Sequence, residues 1–336
     1  MQRVTCIGSA SQNIFFPTHE GCILETPEYI TAQVKVAFEL GGKFRVKNRY
    51  SSIGGVAANV SLGLARLGIE VNCYSHVGGD ELGLWIQRTL EQGGVGTSLL
   101  ERDAAVQSDL SAIIVVAQTG DRIIFHNRDA NERLVLTPTK LDESDWLYVS
   151  ALNGDWQKNI ETIRSVAQAT KKRIALNPGQ HNLKEDPGLM LDFLHEVDAL
   201  FLNKDEAIEL LLTHHQANEQ SLNSEVWLVE TLHQTGPRVV ALTDGKRGVW
   251  ATDGHGVWHA QSYEPHGVVD TTGAGDAFGS GFFSAYLKGL SLETCLRYGI
   301  CNAGSVVGFY GATQGLLDEE SIAEFIHQVT VQQLEK

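Results

Sequence analysis

Short apolar runs alternate with longer amphipathic stretches over much of the second half of the chain. Each run is long enough for a buried strand, and each stretch is long enough for a helix that covers one face of a sheet. We predict strands at 146–150, 173–176, 199–202 and 239–243, and helices at 156–170, 205–212 and 224–234. Strands that alternate with helices pair in parallel. The pattern therefore predicts an α/β protein whose parallel sheet lies between helices.

The first part of the chain has a different pattern. A short apolar run at 4–8 predicts a buried first strand, but prolines and glycines interrupt residues 14–50. The apolar residues that alternate there are Val34, Val36, Phe38, Phe44 and Val46. Alternation of this kind is typical of half-exposed antiparallel strands. Together with a predicted hairpin at 110–126, these segments indicate a small sheet that stands apart from the main body.

Helical spacing of apolar residues marks further elements. The run 57–67 ends before Gly68, and Asp80 is placed to cap a helix that runs toward Gln92. The other predicted elements are a strand at 71–77, a hairpin at 247–260 and helices at 275–287, 292–309 and 318–331. A chain of 336 residues is long for one compact core and short for two, so we expect one large domain with a small subdomain.

The charge of the chain argues against one class of partner. Its formal net charge is −15, whereas proteins that bind nucleic acid carry a surplus of basic residues. The five cysteines form no Cys-x-x-Cys pair, and we interpret them as reduced thiols. The N-terminus has no signal-peptide pattern, and no apolar stretch approaches the length of a membrane span. We therefore expect a cytoplasmic protein with neither a membrane nor a nucleic-acid partner.

Residues 270–278 read DTTGAGDAF and lie directly before a strongly helical stretch. Gly273 and Gly275 allow bare backbone N–H groups to face outward, and a helix N-terminus adds the positive end of its dipole. These features predict an anion-binding site, with the carboxylate of Asp276 beside it. Phosphoryl transfer needs this pairing of donors for the moving phosphoryl group with a base for the acceptor's hydroxyl proton.

The nine-residue string resembles the C-terminal signature of the PfkB/ribokinase family of carbohydrate kinases. The resemblance implies ATP-dependent phosphorylation of a hydroxyl group on a sugar or sugar-containing small molecule. It assigns Asp276 as the catalytic base, and Gly273, Ala274 and Gly275 as the residues that bind the phosphoryl group in transfer. A nucleoside kinase of the same family, or a family member that binds ligand without turnover, remain the alternatives.

The same resemblance implies a ribokinase-like fold, a three-layer α/β/α sandwich with a mostly parallel central sheet. A small β-sheet lid, formed by segments at about 14–52 and 107–127, is then inserted within a single kinase domain at 1–336. Members of the family often dimerise through the lid. Apolar residues such as Val34, Val36 and Phe38 would suit a homodimer of this kind.

Four residues resemble the family's acceptor site. Gly54 and Gly55, followed by Asn59, are similar to its glycine pair and substrate-binding Asn. Asn13 stands where the family usually has an Asp that binds acceptor hydroxyls. An amide lacks the full negative charge of a carboxylate, so the sequence leaves the identity of the sugar or nucleoside acceptor open.

The resemblance also assigns two cation sites. Asn203 and Glu206 match the family's NxxE motif, which implies that they hold Mg²⁺ through water. Asp270 and Thr272 resemble, with a loop at 311–312, a site that binds a monovalent cation such as K⁺ in many members.

The nucleotide site is implied by residues from three further places. Thr243, Gly245 and Gly248 resemble the family's TxGxxG segment, and Asn302 stands where the family places an Asn near the adenine. Asn203 belongs to the same ATP site. Other nucleotide-binding classes are unsupported, because the chain has no Gly-x-Gly-x-x-Gly after its first strand, no Walker-A lysine motif and no protein-kinase motifs.

Overall fold

The computed structural model describes residues 2–25, 34–116, 122–212, 214 and 216–334. Its strands, in chain order, are β1 (Arg3–Ile7), β2 (Ser11–Thr18), β3 (Cys22–Glu25), β4 (Val34–Ala37), β5 (Tyr50–Gly54), β6 (Glu70–Gly78), β7 (Leu100–Asp103), β8 (Leu110–Val116), β9 (Arg122–His126), β10 (Trp146–Val149), β11 (Arg173–Leu176), β12 (Ala199–Asn203), β13 (Val239–Thr243), β14 (Val249–Thr252), β15 (Val257–Ala260) and β16 (Val331–Gln333).

The helices follow the strands in the alternation that the sequence predicts. In chain order they are α1 (Val56–Arg66), α2 (Glu81–Gln92), α3 (Trp156–Thr170), α4 (Gln180–Glu185), α5 (Pro187–Phe193), α6 (Lys204–Leu211), α7 (Glu219–Leu222), α8 (Glu225–Gln234), α9 (Ala274–Leu287), α10 (Leu292–Val306) and α11 (Glu319–Phe325). Short 3-10 turns lie at Asn131–Arg133, Pro138–Leu141, Leu194–Glu196, Gly245–Arg247 and Ile326–Gln328.

Ten strands form the central sheet, in the order β16-β15-β14-β13-β12-β11-β10-β1-β6-β7. From β13 to β7 all neighbours pair in parallel, whereas β14, β15 and β16 add an antiparallel edge. Helices cover both faces, so the predicted three-layer sandwich with a mostly parallel sheet is confirmed.

Both faces of the central sheet are buried, as β10 illustrates. Trp146 and Tyr148 point to one core and contact Phe283 of α9, with ring centroids 5.1 and 5.5 Å apart. Leu147 and Val149 alternate with them and belong to the opposite core, which is formed with α3, α5, α6 and α8. Apolar side chains on both faces require a covering layer on each side, which is why this strand reads as a continuous apolar run.

A separate four-stranded sheet has the order β5-β2-β8-β9, and β3 pairs with β4 in a two-stranded ribbon. We call the four-stranded sheet the small sheet. Phe15 and Ile113 on one of its faces are buried against Tyr310, which also stacks on Tyr50 at 4.5 Å between ring centroids. The small sheet therefore rests on the segment that follows α10.

Three predictions of secondary structure differ from the structure. Phe38, Phe44 and Val46 are not in a strand, and the rings of Phe38 and Phe44 pack edge-on with their centroids 5.2 Å apart. The helix predicted at 292–309 ends at Val306. The helix predicted at 318–331 ends at Phe325, and the chain then pairs as β16 with β15.

The last difference has a local cause, because 329–331 read Val-Thr-Val, and β-branched residues favour a strand when an edge is available.

The side chain of Val34 and the turn predicted at 118–121 lie outside the described residues. Within the part of the chain that the structure describes, no helix is both long and apolar enough to cross a membrane. All five cysteines are free thiols, and Cys22 is the one that is exposed.

The order in which strands are added to the central sheet reverses at β1. β1 lies between β6, which follows on one side, and β10, which starts the run to the other side. The loops after these strands separate at the carboxyl edge of the sheet and leave a crevice, which is where open α/β sheets bind ligands.

Candidate active site

The N-terminus of α9 lies at the centre of this crevice. Gly273 precedes the helix in a left-handed conformation, with φ of 77°, and a Cβ there would lie 2.3 Å from the Cβ of Ala312. Glycine is required on both grounds. Among the described residues, no side chain caps this helix. The first backbone N–H groups of a helix have no partner within it. In α9 the N–H of Ala274 donates to the Thr271 carbonyl at 3.3 Å, and those of Gly275 and Asp276 are left to form an anion site.

Asp276 lies in the first turn of α9 and contacts α1. Nδ2 of Asn59 donates a hydrogen bond to Oδ2 of Asp276 at 2.7 Å. Burial raises the pKa of Asp276 to about 6, and the hydrogen bond from Asn59 opposes that rise. The carboxylate is therefore ionised at neutral pH yet more basic than an ordinary aspartate, as a general base should be.

One cleft of about 400 Å³ opens on Asp276 from the side of the small sheet. Asn13, Gly55, Asn59 and Gly273 line it together with Asp276. Gly54 lies behind this wall, where a Cβ would be 2.6 Å from Oδ1 of Asn13. The structure therefore brings Asn13, Gly55 and Asn59, three of the four predicted acceptor residues, to the cleft. The fourth, Gly54, leaves room for the Asn13 side chain.

A second cleft, of about 220 Å³, lies on the other side of α9. One side of it is lined by Thr243 at the end of β13 and by Gly245 and Gly248 from the turn that follows, and Ala274 and Gly275 line its end. Its remaining walls are mostly apolar and include Val249, Val268, Ile300, Ala303 and Val307. A narrow apolar slot that ends at a helix N-terminus suits a flat base attached to phosphates.

A third cleft, of about 210 Å³, connects the other two. It shares Asp276 with the first cleft and Gly275 with the second, and Asn203 and Glu206 line it as well. The anion site at α9 therefore faces both larger clefts.

Asn203 and Glu206 are held by the start of α6. Oδ1 of Asn203 accepts from the Glu206 N–H at 2.9 Å, and Oε2 of Glu206 accepts from the Asn203 N–H at 2.9 Å. Burial, together with the negative charge of Asp276, raises the pKa of Glu206 to about 7, and the hydrogen bonds with Asn203 oppose that rise. The carboxylates of Glu206 and Asp276 thus line one cleft and repel each other.

The carboxylate of Glu206 and the amide oxygen of Asn203 fit a divalent cation bound through water and phosphate oxygens. Mg²⁺ prefers oxygen ligands and retains several waters, so it does not need a cage of protein side chains. The described residues contain no cluster of three or more His, Cys, Asp or Glu with the geometry of such a cage. Asn203 and Glu206 are the residues that would hold the hydrated ion.

Asn302 has a different role from the nucleotide contact that the sequence predicts. Its side chain is fully buried and donates from Nδ2 to the Ala277 carbonyl at 2.8 Å. Its Oδ1 accepts from the Leu317 N–H at 2.9 Å. The amide thus ties α10 to α9 and to the loop before α11. Its neighbours Ala303 and Gly304 line the second cleft.

Asp270 and Thr272 lie together beside the anion site. Oδ1 of Asp270 accepts from the N–H and Oγ1 of Thr272, and Oδ2 accepts from the Gly311 N–H at 3.1 Å. Nη1 of Arg122, from β9 of the small sheet, lies 3.6 Å from Oδ1 of Asp270 and donates to Oγ1 of Thr271 at 3.0 Å. The charge that a monovalent cation would balance is therefore already balanced by an arginine, and K⁺ fits this site poorly.

Sequence reasoning missed a buried polar network at the back of the first cleft. Nδ2 of Asn131 donates to the carboxylate of Asp109 and to the Ala10 carbonyl, and Oδ1 of Asp109 accepts from the Ala130 N–H. Burial raises the pKa of Asp109 to about 6. No local pattern marks these residues, because the contact between Asn131 and Ala10 spans 121 positions of the chain and the two contacts of Asp109 span 21 and 22.

Comparison with known proteins identifies the class. Among solved structures, the nucleoside kinase of Methanocaldococcus jannaschii, an archaeal member of the ribokinase family, superposes with a TM-score of 0.76 at 22% identity, covering 98% of this chain and 99% of that one. The fold is therefore ribokinase-like. A family model described as pfkB family carbohydrate kinase matches residues 1–319. The chain belongs to the pfkB family of carbohydrate kinases, whose members are phosphotransferases that act on alcohol groups.

Two curated relatives agree with this assignment. An uncharacterized sugar kinase of Archaeoglobus fulgidus is 29% identical over 76% of this chain and 98% of its own length. A ribokinase of Haemophilus influenzae is 26% identical over 83% of this chain and 89% of its own length.

Proposed function

We propose that this kinase transfers the γ-phosphoryl group of ATP to a hydroxyl group of a sugar or sugar-containing small molecule, with Asp276 as the catalytic base. The observation that carries the proposal is the position of Asp276. Its carboxylate borders the first cleft, which would hold the acceptor, and lies one residue from Gly275, which ends the second cleft.

The chemistry follows from this arrangement. Asp276 accepts the proton of the acceptor hydroxyl while that oxygen bonds to the γ-phosphorus and the bond to the ADP oxygen breaks. Asn59 keeps the carboxylate oriented and ionised. The N–H groups at the start of α9, around Gly273, Ala274 and Gly275, stabilise the charge on the phosphoryl group in transfer. Mg²⁺, when bound, neutralises charge on the phosphates of ATP.

The other assignments belong to the same proposal. Asn13, Gly55 and Asn59 contact the acceptor, and Thr243, Gly245, Gly248 and Asn203 border the nucleotide. The small sheet serves as a lid that excludes water, a competing acceptor. The exposed apolar side chains of Ile23, Leu24 and Phe38 on the ribbon and beside it support a homodimer formed through this region. The net charge of −15 supports an enzyme with no nucleic-acid partner. The five free cysteines support a cytoplasmic enzyme, because thiols stay reduced in that compartment.

An ATP-consumption screen tests the proposal directly. The panel contains pentoses, hexoses, nucleosides, sugar phosphates and sugar acids. Turnover of one of them beyond the ATPase background establishes the kinase activity. Binding of a panel member without turnover of any would instead favour a silent ligand-binding protein.

Glu206→Gln should raise the Mg²⁺ concentration needed for half-maximal rate by ~10-fold, because the variant loses a charged acceptor for the metal's waters. Gln can still complete the helix cap, so α6 should remain intact. Glu209→Gln, on the same helix but outside the three clefts, is the matched control. If Glu206→Gln leaves the Mg²⁺ concentration at half-maximal rate unchanged, Glu206 only caps the helix and does not bind the metal's waters.

Replacing K⁺ by tetramethylammonium should change the wild-type rate little, because Arg122 already balances the charge of Asp270. Arg122→Gln should be slow without K⁺ and should recover when K⁺ is added, since the buried carboxylate then lacks its arginine. The measurement is the rate of the wild type and of Arg122→Gln across a K⁺ titration at constant ionic strength. Strong K⁺ activation of the wild type, equal to that of the variant, would mean that Arg122 does not replace the ion.

A further inference from the structure

A row of polar side chains crosses the small sheet at the first cleft. In the register of the sheet, Asn13 of β2 pairs with Ser52 of β5 on one side and Ser111 of β8 on the other, and Ser111 pairs with His126 of β9. Directly paired residues share a face of a sheet. Asn13, Ser111 and His126 all line the first cleft, and this row contains no carboxylate.

A cationic side chain extends this row. Arg128, two residues beyond His126, also lines the cleft, and its Nη1 lies 3.4 Å from Oδ1 of Asn153. Among the described residues, neither Arg128 nor His126 has a carboxylate within salt-bridge distance. The neighbouring arginines differ, since Arg122 pairs with Asp270 and Arg133 pairs with Asp103.

The carboxylates of the same cleft already have partners. Asp109 accepts hydrogen bonds from the Ala130 N–H and from Asn131. Asp276 accepts from Asn59, and its remaining capacity is needed for the hydroxyl proton. The groups left open to a ligand along the small sheet are therefore the guanidinium of Arg128, the ring of His126 and the neutral donors of Asn13 and Ser111.

We propose that the acceptor carries an anionic group, a phosphate or a carboxylate, which binds to Arg128 with Asn13, Ser111 and His126 beside it. This inference rests on the proposed kinase function and specifies its substrate class. Guanidinium groups bind both kinds of anion through paired, charge-assisted hydrogen bonds. Asn13 fits the same ligand, because its amide can donate to an anion whereas an aspartate would repel one.

The experiment compares acceptors that differ in charge. Ribose and fructose are the neutral acceptors, ribose 1-phosphate and fructose 6-phosphate carry phosphate, and 2-dehydro-3-deoxygluconate carries a carboxylate. We expect the wild type to give a kcat/KM at least ~10-fold higher for one of the anionic acceptors than for either neutral sugar. The arm that responds identifies the anion as phosphate or carboxylate.

Arg128→Gln should lower the ratio of anionic to neutral kcat/KM by ~10-fold or more, chiefly through KM for the anionic acceptor. Arg133→Gln removes an equal charge from the same segment outside the cleft and should leave this ratio unchanged. Asn13→Asp should lower the ratio as Arg128→Gln does. Thermal denaturation checks that all three variants are folded.

Two results would overturn the inference while leaving the kinase function intact. One is a preference of the wild type for a neutral sugar or a nucleoside, and the other is an equal loss of kcat/KM for all acceptors in Arg128→Gln. If no acceptor is phosphorylated, the proposed function fails and binding decides the inference. Anionic ligands should then raise the Tm of the wild type more than that of Arg128→Gln, and the absence of any such difference would reject the anion site.

Discussion

Asp276→Asn is expected to lower kcat by at least ~10³-fold, because general-base contributions reach roughly 10²–10⁴ and the amide cannot accept the proton of the acceptor hydroxyl. The substitution is nearly isosteric, so the fold and the nucleotide cleft should persist. Calorimetric titration with a non-hydrolysable ATP analogue should therefore give a Kd close to that of the wild type. A variant with near-normal kcat would remove Asp276 from the role of base.

The pH dependence of the wild type provides a second readout of the same residue. The pKa of Asp276 is raised to about 6, and the ionised form is the one that can accept a proton. The rate should therefore be full well above that pKa and should fall as the pH decreases through about 6. Asp276→Asn should lose this acid limb along with most of its rate.

Gly275→Ala is expected to lower kcat/KM by ~10²-fold while leaving the Tm unchanged or slightly raised. A Cβ at Gly275 would meet no protein atom within 4 Å, so the folded protein has room for the methyl group. The same open space is where the phosphoryl group in transfer would lie, and the methyl group would obstruct it. Alanine also favours the helical conformation over glycine.

Gly273→Ala is the structural comparison for this prediction. Its methyl group would collide with Ala312, and its backbone is left-handed, so a lower Tm should accompany its loss of activity. Circular dichroism melts and steady-state rates on both variants separate the two effects. Near-normal kcat/KM in a folded Gly275→Ala protein would mean that no phosphoryl group approaches the start of α9.

The parts of the site that the sequence predicts are contiguous or follow directly from strand ends. Residues 273–276 are adjacent in the chain, and a glycine-rich turn before a helix has one main physical outcome, an uncapped N-terminus. Asn203 and Thr243 end two neighbouring parallel strands and Gly245 follows the second, and the carboxyl ends of such strands meet at one edge. The fold and its small sheet follow from alternation patterns in the same way.

The parts that the sequence does not predict depend on contacts between distant segments. The pairing of Arg122 with Asp270 joins the small sheet to the anion site across 148 positions in the chain, the difference between the two residue numbers. For Asn302 the sequence predicts a nucleotide contact that the structure replaces with a contact inside the protein. A polar residue in the middle of a helix indicates a polar partner but does not identify it. Its partners are a helix carbonyl and a loop N–H in the core rather than a ligand.

The segment at 310–312 joins the small sheet to the start of α9. Tyr310 stacks under the small sheet, the Gly311 N–H holds Asp270, and Ala312 lies against Gly273. Any shift of the small sheet on binding of the acceptor would therefore be transmitted to the loop that would receive the phosphates of ATP. Binding of the two substrates would then be thermodynamically coupled, and each ligand would alter the affinity for the other by the same factor.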